Sequence, residues 1–189
     1  IFLKHIGDEC LHVVHLLNNL LDVYHLNEAN EKRRDVPFNL QGMLERTAVG
    51  FSHIANDKGI RFVSDFKDTE VRLYGDAVRI EQIMHNLLVN AVKFTESGTI
   101  SFHVRYHNGI LTLEIKDTGI GMTEETLSRI FRPFERKDSA ANADGHGLGL
   151  SITQGLVKLL DGNIRVTSSI EQGSTFRVTL PLRQTDEPV

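Results

Sequence analysis

Gly145-His146-Gly147-Leu148-Gly149-Leu150 is the run on which the reading of this chain turns. Three glycines alternate where a polar loop ends and an apolar helix begins, the helix carrying Ile152, Leu156, Val157, Leu159 and Leu160. Glycine lets the backbone approach a ligand with no Cβ in the way. A helix N-terminus offers free N–H groups and the positive end of a dipole. Together these make an anion site suited to phosphate. By itself such a run is more often just a turn, so its meaning depends on what lies upstream.

Composition sets the outer bounds. The chain has 189 residues, 40% apolar and 24% charged, as expected of one globular domain with an appendage or of two small domains. A net charge of −4 and a pI near 6.1 argue against a general nucleic-acid binder. They also require anionic phosphates to be met by local lysine, backbone dipoles or a metal ion. No apolar run reaches the ~20 residues of a membrane span, so no membrane contact is expected of this piece. Cys10 stands alone, which rules out an internal disulfide and fits a cytoplasmic setting.

Residues 1–27 follow a heptad seam, Leu3, Ile6, Cys10, Val13, Leu17, Leu20 and Tyr24. One long helix of this kind needs a bundle or a dimer to cover its face. The pattern is already running at Ile1, and the chain is expected to be part of a longer protein. A polar run from Asn27 to Asp35 reads as a linker. The expected division is 1–35 helix and linker, 36–183 folded domain, and 184–189 polar tail.

Within the domain, helices are expected over Leu40–Asn56, after an Asp76 cap, briefly after Thr123, and after Gly147. Strands are expected at Ile60–Phe66, Val71–Leu73, Thr99–Tyr106, Ile110–Asp117, Asn163–Ser168 and Ser174–Leu180, with Asn108-Gly109 closing a hairpin. Helices mixed with antiparallel strands define an α+β two-layer α/β sandwich.

Two further clusters carry chemistry. Asn86, Asn90 and Lys93 are spaced four and three apart and share one helical face. Amide oxygens beside a lysine suit a hydrated Mg²⁺ carrying phosphates, the phosphates supplying the negative charge. The structural alternative is a solvated polar stripe. Asp117-Thr118-Gly119-Ile120-Gly121 ends a strand in an aspartate followed by a Gly-x-Gly turn. A carboxylate on a pocket floor accepts from the exocyclic amine of adenine and repels the guanine carbonyl. The alternative is a capping aspartate in a turn.

Taken in order, Asn86-Leu87-Leu88-Val89-Asn90-Ala91-Val92-Lys93-Phe94-Thr95, Asp117-Thr118-Gly119-Ile120-Gly121, Phe131-Arg132-Pro133-Phe134 and Gly145-His146-Gly147-Leu148-Gly149-Leu150 closely resemble the N box, first glycine box, F box and second glycine box of sensor histidine kinases. Gly173-Ser174-Thr175-Phe176 resembles that family's closing strand. The resemblance implies the Bergerat-type ATP-binding fold of the GHKL superfamily over residues 36–183, with ATP and Mg²⁺ as cofactors. It implies Asn90 as the Mg²⁺ ligand with Asn86 in support, Lys93 on phosphate and Phe94 against the nucleotide. Asp117 would read adenine, with Thr175 near the base through water, and Gly119 and Gly121 would shape the pocket. Gly145, Gly147 and Gly149, with Leu148 between them, match the lid hinge and phosphate cradle, and Phe131 and Phe134 would pin the lid base.

One part of the pattern is missing. The family's phosphorylated histidine sits in a His-Glu/Asp-x-x-Thr/Asn-Pro run, and none of His5, His12, His15 or His25 has that context. Residues 1–27 instead resemble the second helix of the dimerisation and phosphoacceptor segment. The resemblance therefore implies a histidine protein kinase catalytic module that binds Mg-ATP and cannot autophosphorylate alone. Its implied partners are its own phosphoacceptor helix, a second copy in the full-length protein and a response regulator receiver domain, with no nucleic acid. The setting would be cytoplasmic, under a parent protein anchored in the inner membrane or free. Two alternatives stay open: a binding module of the same fold without kinase activity, and an ATPase of the same superfamily. Asn86 stands where the latter would need a water-activating glutamate, which disfavours hydrolysis.

Overall fold

A computed structural model describes residues 33–133 and 148–186. The heptad helix expected over 1–27 and most of the lid lie outside these residues. In chain order the elements are β1 (Val36–Asn39), α1 (Leu40–Asp57), β2 (Ile60–Lys67), β3 (Arg72–Gly75), α2 (Ala77–Phe94), β4 (Gly98–His107), β5 (Ile110–Asp117), α3 (Glu124–Leu127), α4 (Gly149–Leu159), β6 (Asn163–Ser169), β7 (Gly173–Pro181) and β8 (Arg183–Gln184).

Five strands form the main sheet in the order β2-β4-β5-β7-β6, and β1-β3-β8 form a small second sheet. Only β2 with β4 is parallel; every other pairing is antiparallel. One face of the main sheet alternates Ile100, Phe102 and Val104 on β4 with Leu111, Leu113 and Ile115 on β5, all buried. Helices α1, α2 and α4 cover that face. Their apolar stripes, such as Leu40, Leu44 and Phe51 on α1 and Ile80, Ile83, Met84, Leu87 and Leu88 on α2, complete one continuous core. This is the expected two-layer sandwich.

Local chemistry starts each element where the sequence indicates. Asn39 caps α1, its side chain accepting from the Gly42 N–H at 2.9 Å. Asn108 and Gly109 have φ of 49° and 77°, the primed turn of a tight hairpin. Asp76 does more than cap α2. It is 4% exposed. Its Oδ1 accepts from the Arg79 N–H at 3.2 Å, and its Oδ2 from the Arg34 N–H at 3.0 Å. The chain entering the domain is thereby tied to the first turn of α2. Arg33 adds ion pairs to Asp35 and to Asp161, the residue that follows α4 and Leu160.

Two strands escape sequence reading. β1 is four residues containing Pro37, tolerated because β1 is an edge strand. β8 is two residues, its Arg183 pairing with Tyr74 and its Gln184 with Leu73. The Thr185 N–H then donates to the Arg72 carbonyl at 3.0 Å, so the polar stretch from Gln184 begins as paired backbone.

Candidate nucleotide site

Helix α2 runs between the two ends of the site. From Asn86 to Phe94 is eight residues, roughly 12 Å along the axis. At one end it meets the start of α4, at the other the turn after β5.

The turn end is closely built. The Phe94 carbonyl accepts the Ile120 N–H at 3.2 Å, joining the end of α2 to the Gly-x-Gly turn. Gly119 is needed there because an added Cβ would overlap that same carbonyl oxygen. Gly121 has φ of 62°, and a Cβ on it would overlap the Ser169 carbonyl at the end of β6. Asp117 is 5% exposed. Its Oδ1 accepts from the Gly119 N–H at 2.9 Å and the Ser174 N–H at 3.3 Å. No described group bonds Oδ2, which is the acceptor left for a ligand. Burial raises the Asp117 carboxyl above the ordinary carboxylate value of 3.8, and the backbone N–H donors pull the other way without cancelling it.

Strand register separates two hydroxyls here. Asp117 pairs with Ser174, and Lys116 with Thr175. Paired residues share a face and successive residues alternate. Ser174 therefore stands on Asp117's face, and Thr175 on the opposite face with Lys116 and Thr167. The expectation that Thr175 lies near the base is corrected: the hydroxyl on that side belongs to Ser174. It is also linked to Ser168 Oγ at 3.0 Å, which in turn accepts the Met122 N–H at 2.9 Å. Period-two alternation would have found Ser174 only with the long-range β5–β7 register in hand.

The α4 end is more open. Asn86 Nδ2 reaches the Gly149 carbonyl and Thr153 Oγ1, both at 3.4 Å, so Asn86 steadies the first turn of α4. Thr153 is fully buried and bonds the same carbonyl at 2.8 Å. Leu148, buried at 2%, precedes α4 and gives it no side-chain cap. Gly149 is the first helical residue, and a Cβ there would meet nothing. Its role is therefore not forced by packing within the described residues. Asn90, one turn before the end of α2, is half-buried, and its side chain has no hydrogen-bond partner among the described residues. Lys93 Nζ lies 5.2 Å from the centre of the Phe94 ring. Phe131 is half-buried in the turn after α3. Phe134, Gly145 and Gly147 lie outside the described residues. Thr95 Oγ1, just past Phe94, is buried with no partner in the described structure, a position the motif reading passed over.

The donor set fits a nucleotide better than a bare metal. No group of three or more metal-binding His, Cys, Asp or Glu side chains exists among the described residues. The amide oxygens of Asn86 and Asn90, which no described group bonds, suit an ion that arrives with phosphate oxygens. No described helix is long and apolar enough to cross a membrane.

The α/β sandwich of three helices on a five-stranded sheet agrees with the comparisons. The chain belongs to the family of histidine kinase-, DNA gyrase B- and HSP90-like ATPases, whose profile matches residues 75–184. Its relatives include the autoinducer 2 sensor kinase/phosphatase LuxQ of Vibrio parahaemolyticus, 35% identical over 96% of this chain and 22% of that protein. The signal transduction histidine-protein kinase BarA of Escherichia coli is also 35% identical, over 85% of this chain and 18% of its own length. The chain thus spans about a fifth of these relatives. Full-length ShkA, solved in complex with AMPPNP, superposes with a TM-score of 0.81 at 29% identity, covering 94% of this chain and 37% of ShkA. The catalytic domain of the histidine kinase ThkA has a TM-score of 0.67 at 26% identity, covering 78% of this chain and 95% of that domain.

Proposed function

We propose that this chain is the Mg-ATP-binding catalytic module of a two-component sensor histidine kinase. It would donate the γ-phosphate to a histidine on a separate helix. The observation that carries the reading is Asp117. One oxygen is fixed by two backbone N–H groups while the other is left without a described partner on a side chain that is 5% exposed. That is the arrangement needed to accept from the adenine amine.

The roles follow from placement. Asp117, Gly119, Gly121 and Ser174 form the base pocket, with Phe94 beside the turn. Asn90 is the protein ligand for a Mg²⁺ carried by the phosphates, and Lys93 offsets phosphate charge. Asn86 positions the start of α4, whose N–H groups face the phosphate side together with Leu148 and Gly149. Bound Mg²⁺ would supply charge neutralisation in phosphoryl transfer. The protein's own part is to hold the nucleotide in line with an incoming imidazole. Partners under this reading are the phosphoacceptor helix, a second copy of the full-length chain and a response regulator receiver domain, in a cytoplasmic setting.

The test is transfer in trans. The chain is incubated with γ-labelled ATP, alone and with a separate peptide helix carrying a His-Glu-x-x-Thr-Pro run. Label on the added helix only is the expected result. Label on this chain alone, or steady release of free phosphate without transfer, defeats the proposal.

A further inference from the structure

The second face of the main sheet carries no described element, and its charge is out of keeping with the chain. Alternation places Arg61 and Lys67 on β2, Arg105 on β4, Lys116 on β5, Arg177 on β7 and Arg165 on β6 on this face. Six cations stand there against two carboxylates, Asp65 and Glu114. That is a surplus of four positive charges on a chain whose net charge is −4.

Two details show that this surplus is not a side effect of sheet stability. Arg165 and Arg177 are direct antiparallel partners, and Lys67 and Arg105 are direct parallel partners. Like charges placed opposite each other destabilise a sheet. In each pair only one member has a carboxylate of its own: Arg177 bonds Glu114, and Lys67 lies 3.5 Å from Asp65. Arg165 and Arg105 have no ion-pair partner among the described residues. The rows on either side are hydroxyls and amides, Thr167 and Thr175 on one flank, Asn163 and Thr179 on the other. The apolar members, Val63, Ile110 and Pro181, sit at the rim.

We propose that this face docks an acidic protein surface, whose carboxylates fill the positions opposite Arg165 and Arg105. The charge is complementary, and four of the six cations are arginines, whose planar fork matches a carboxylate with two hydrogen bonds. The face has no Phe, Tyr or Trp ring to stack a base and no central apolar side chain to enter lipid. A surface that answered to summed charge alone would also gain from losing Glu114 and Asp65; a folded partner matches the mixed pattern. The face lies opposite Asp117's side of the sheet, so it is separate from the nucleotide site.

The test uses the full chain with two probe peptides, one alternating Glu with Thr and one alternating Lys with Thr. Arginine Nε–H resonances are followed at low and high salt. Shifts at Arg165, Arg177 and Arg105 with the Glu peptide only, lost at high salt, are expected. Arg165→Glu should weaken peptide binding on the order of tenfold, as expected for losing charge-assisted hydrogen bonds. The same variant should raise Tm by about 1–3 °C, because a like-charge pair becomes an opposite one. Arg105→Gln, which adds no charge, should weaken binding with Tm unchanged or higher. Four results overturn the proposal: no arginine shifts, binding that survives both substitutions, a lowered Tm in both, or tighter binding at equal charge to phosphatidylglycerol vesicles or a single-stranded oligonucleotide than to the Glu peptide.

Discussion

The two ends of the nucleotide site are built on different principles. The base end is made by strand termini and a tight turn. Asp117, Gly119, Gly121 and Ser174 are held by backbone hydrogen bonds and close backbone contacts, and their geometry is complete without ligand. The phosphate end is made by helix faces and a helix start. Asn90 has no protein partner among the described residues, Asn86 makes only long contacts, and α4 begins uncapped. Under the proposed function, specificity for the base would be set in advance, while the Asn90 amide would be left for charge-carrying ligands. A rigid recognition end beside an adaptable charge end suits a site that must keep one ligand and pass on part of it.

The largest effect expected from breaking this contrast is at Asp117. In Asp117→Asn the Oδ1 acceptor survives, but an NH₂ replaces Oδ2 and faces the adenine amine donor to donor. ATP affinity should fall by roughly 100-fold or more in titration calorimetry, in line with an unpaired buried polar contact. The same variant should be more stable at neutral pH. Asp117 ionises less readily folded than unfolded, so its ionisation opposes folding. That cost is absent below the unfolded value of 3.8 and sets in as pH rises past it toward the raised folded value. Thermal melts of both proteins from acid to neutral pH check the sign: their difference should widen as pH rises.

Gly119→Ala comes next. Its Cβ would press on the Phe94 carbonyl, a backbone atom that cannot swing away. A loss of about 2–3 kcal/mol is expected, read as a Tm drop of about 4–12 °C together with weaker adenosine binding. Gly149→Ala, at the phosphate end, should leave Tm nearly unchanged, because nothing stands near its Cβ. Equal damage at both glycines would erase the distinction between a packed and an open end.

Asn90→Ala should act on charge alone. Affinity for ATP in Mg²⁺ should drop on the order of tenfold while affinity for adenosine holds. Calorimetry with the two ligands separates these, and a parallel fall in both would show that Asn90 supports the fold instead. The smallest effect tests register. Ser174→Ala should cost a few-fold in ATP affinity, since its backbone N–H remains, and Thr175→Ala should cost nothing measurable.

Much of this was legible in the sequence because local chemistry and long-range packing agree. The α2 stripe, the Asp76 cap and the Asn108-Gly109 turn each specify their element within a few residues. Gly119 and Gly121 were legible because the turn requires them sterically, and Asp117 because a carboxylate beside them accepts the turn's N–H group. Thr175 was misplaced because a strand gives no sign of which neighbour it pairs with. A shift of one residue sends a side chain to the other face, and the pairing of Asp117 with Ser174 is decided fifty-seven positions away. β1 and β8 were missed for a related reason: strands of four and two residues are held by partners, with little propensity of their own.

Asp76 gives the entering chain a mechanical meaning. Its carboxylate spends both oxygens on backbone N–H groups, one from Arg34, forty-two positions before it, and one from Arg79 in the first turn of α2. Arg34 therefore cannot serve as a pivot while that bond holds. Any swing of the preceding chain about this domain must be taken up ahead of Arg34. Whatever rotation arrives there acts on a helix that carries Asn86, Asn90, Lys93 and Phe94 on one rigid shaft, so these four side chains turn together as a single lever arm.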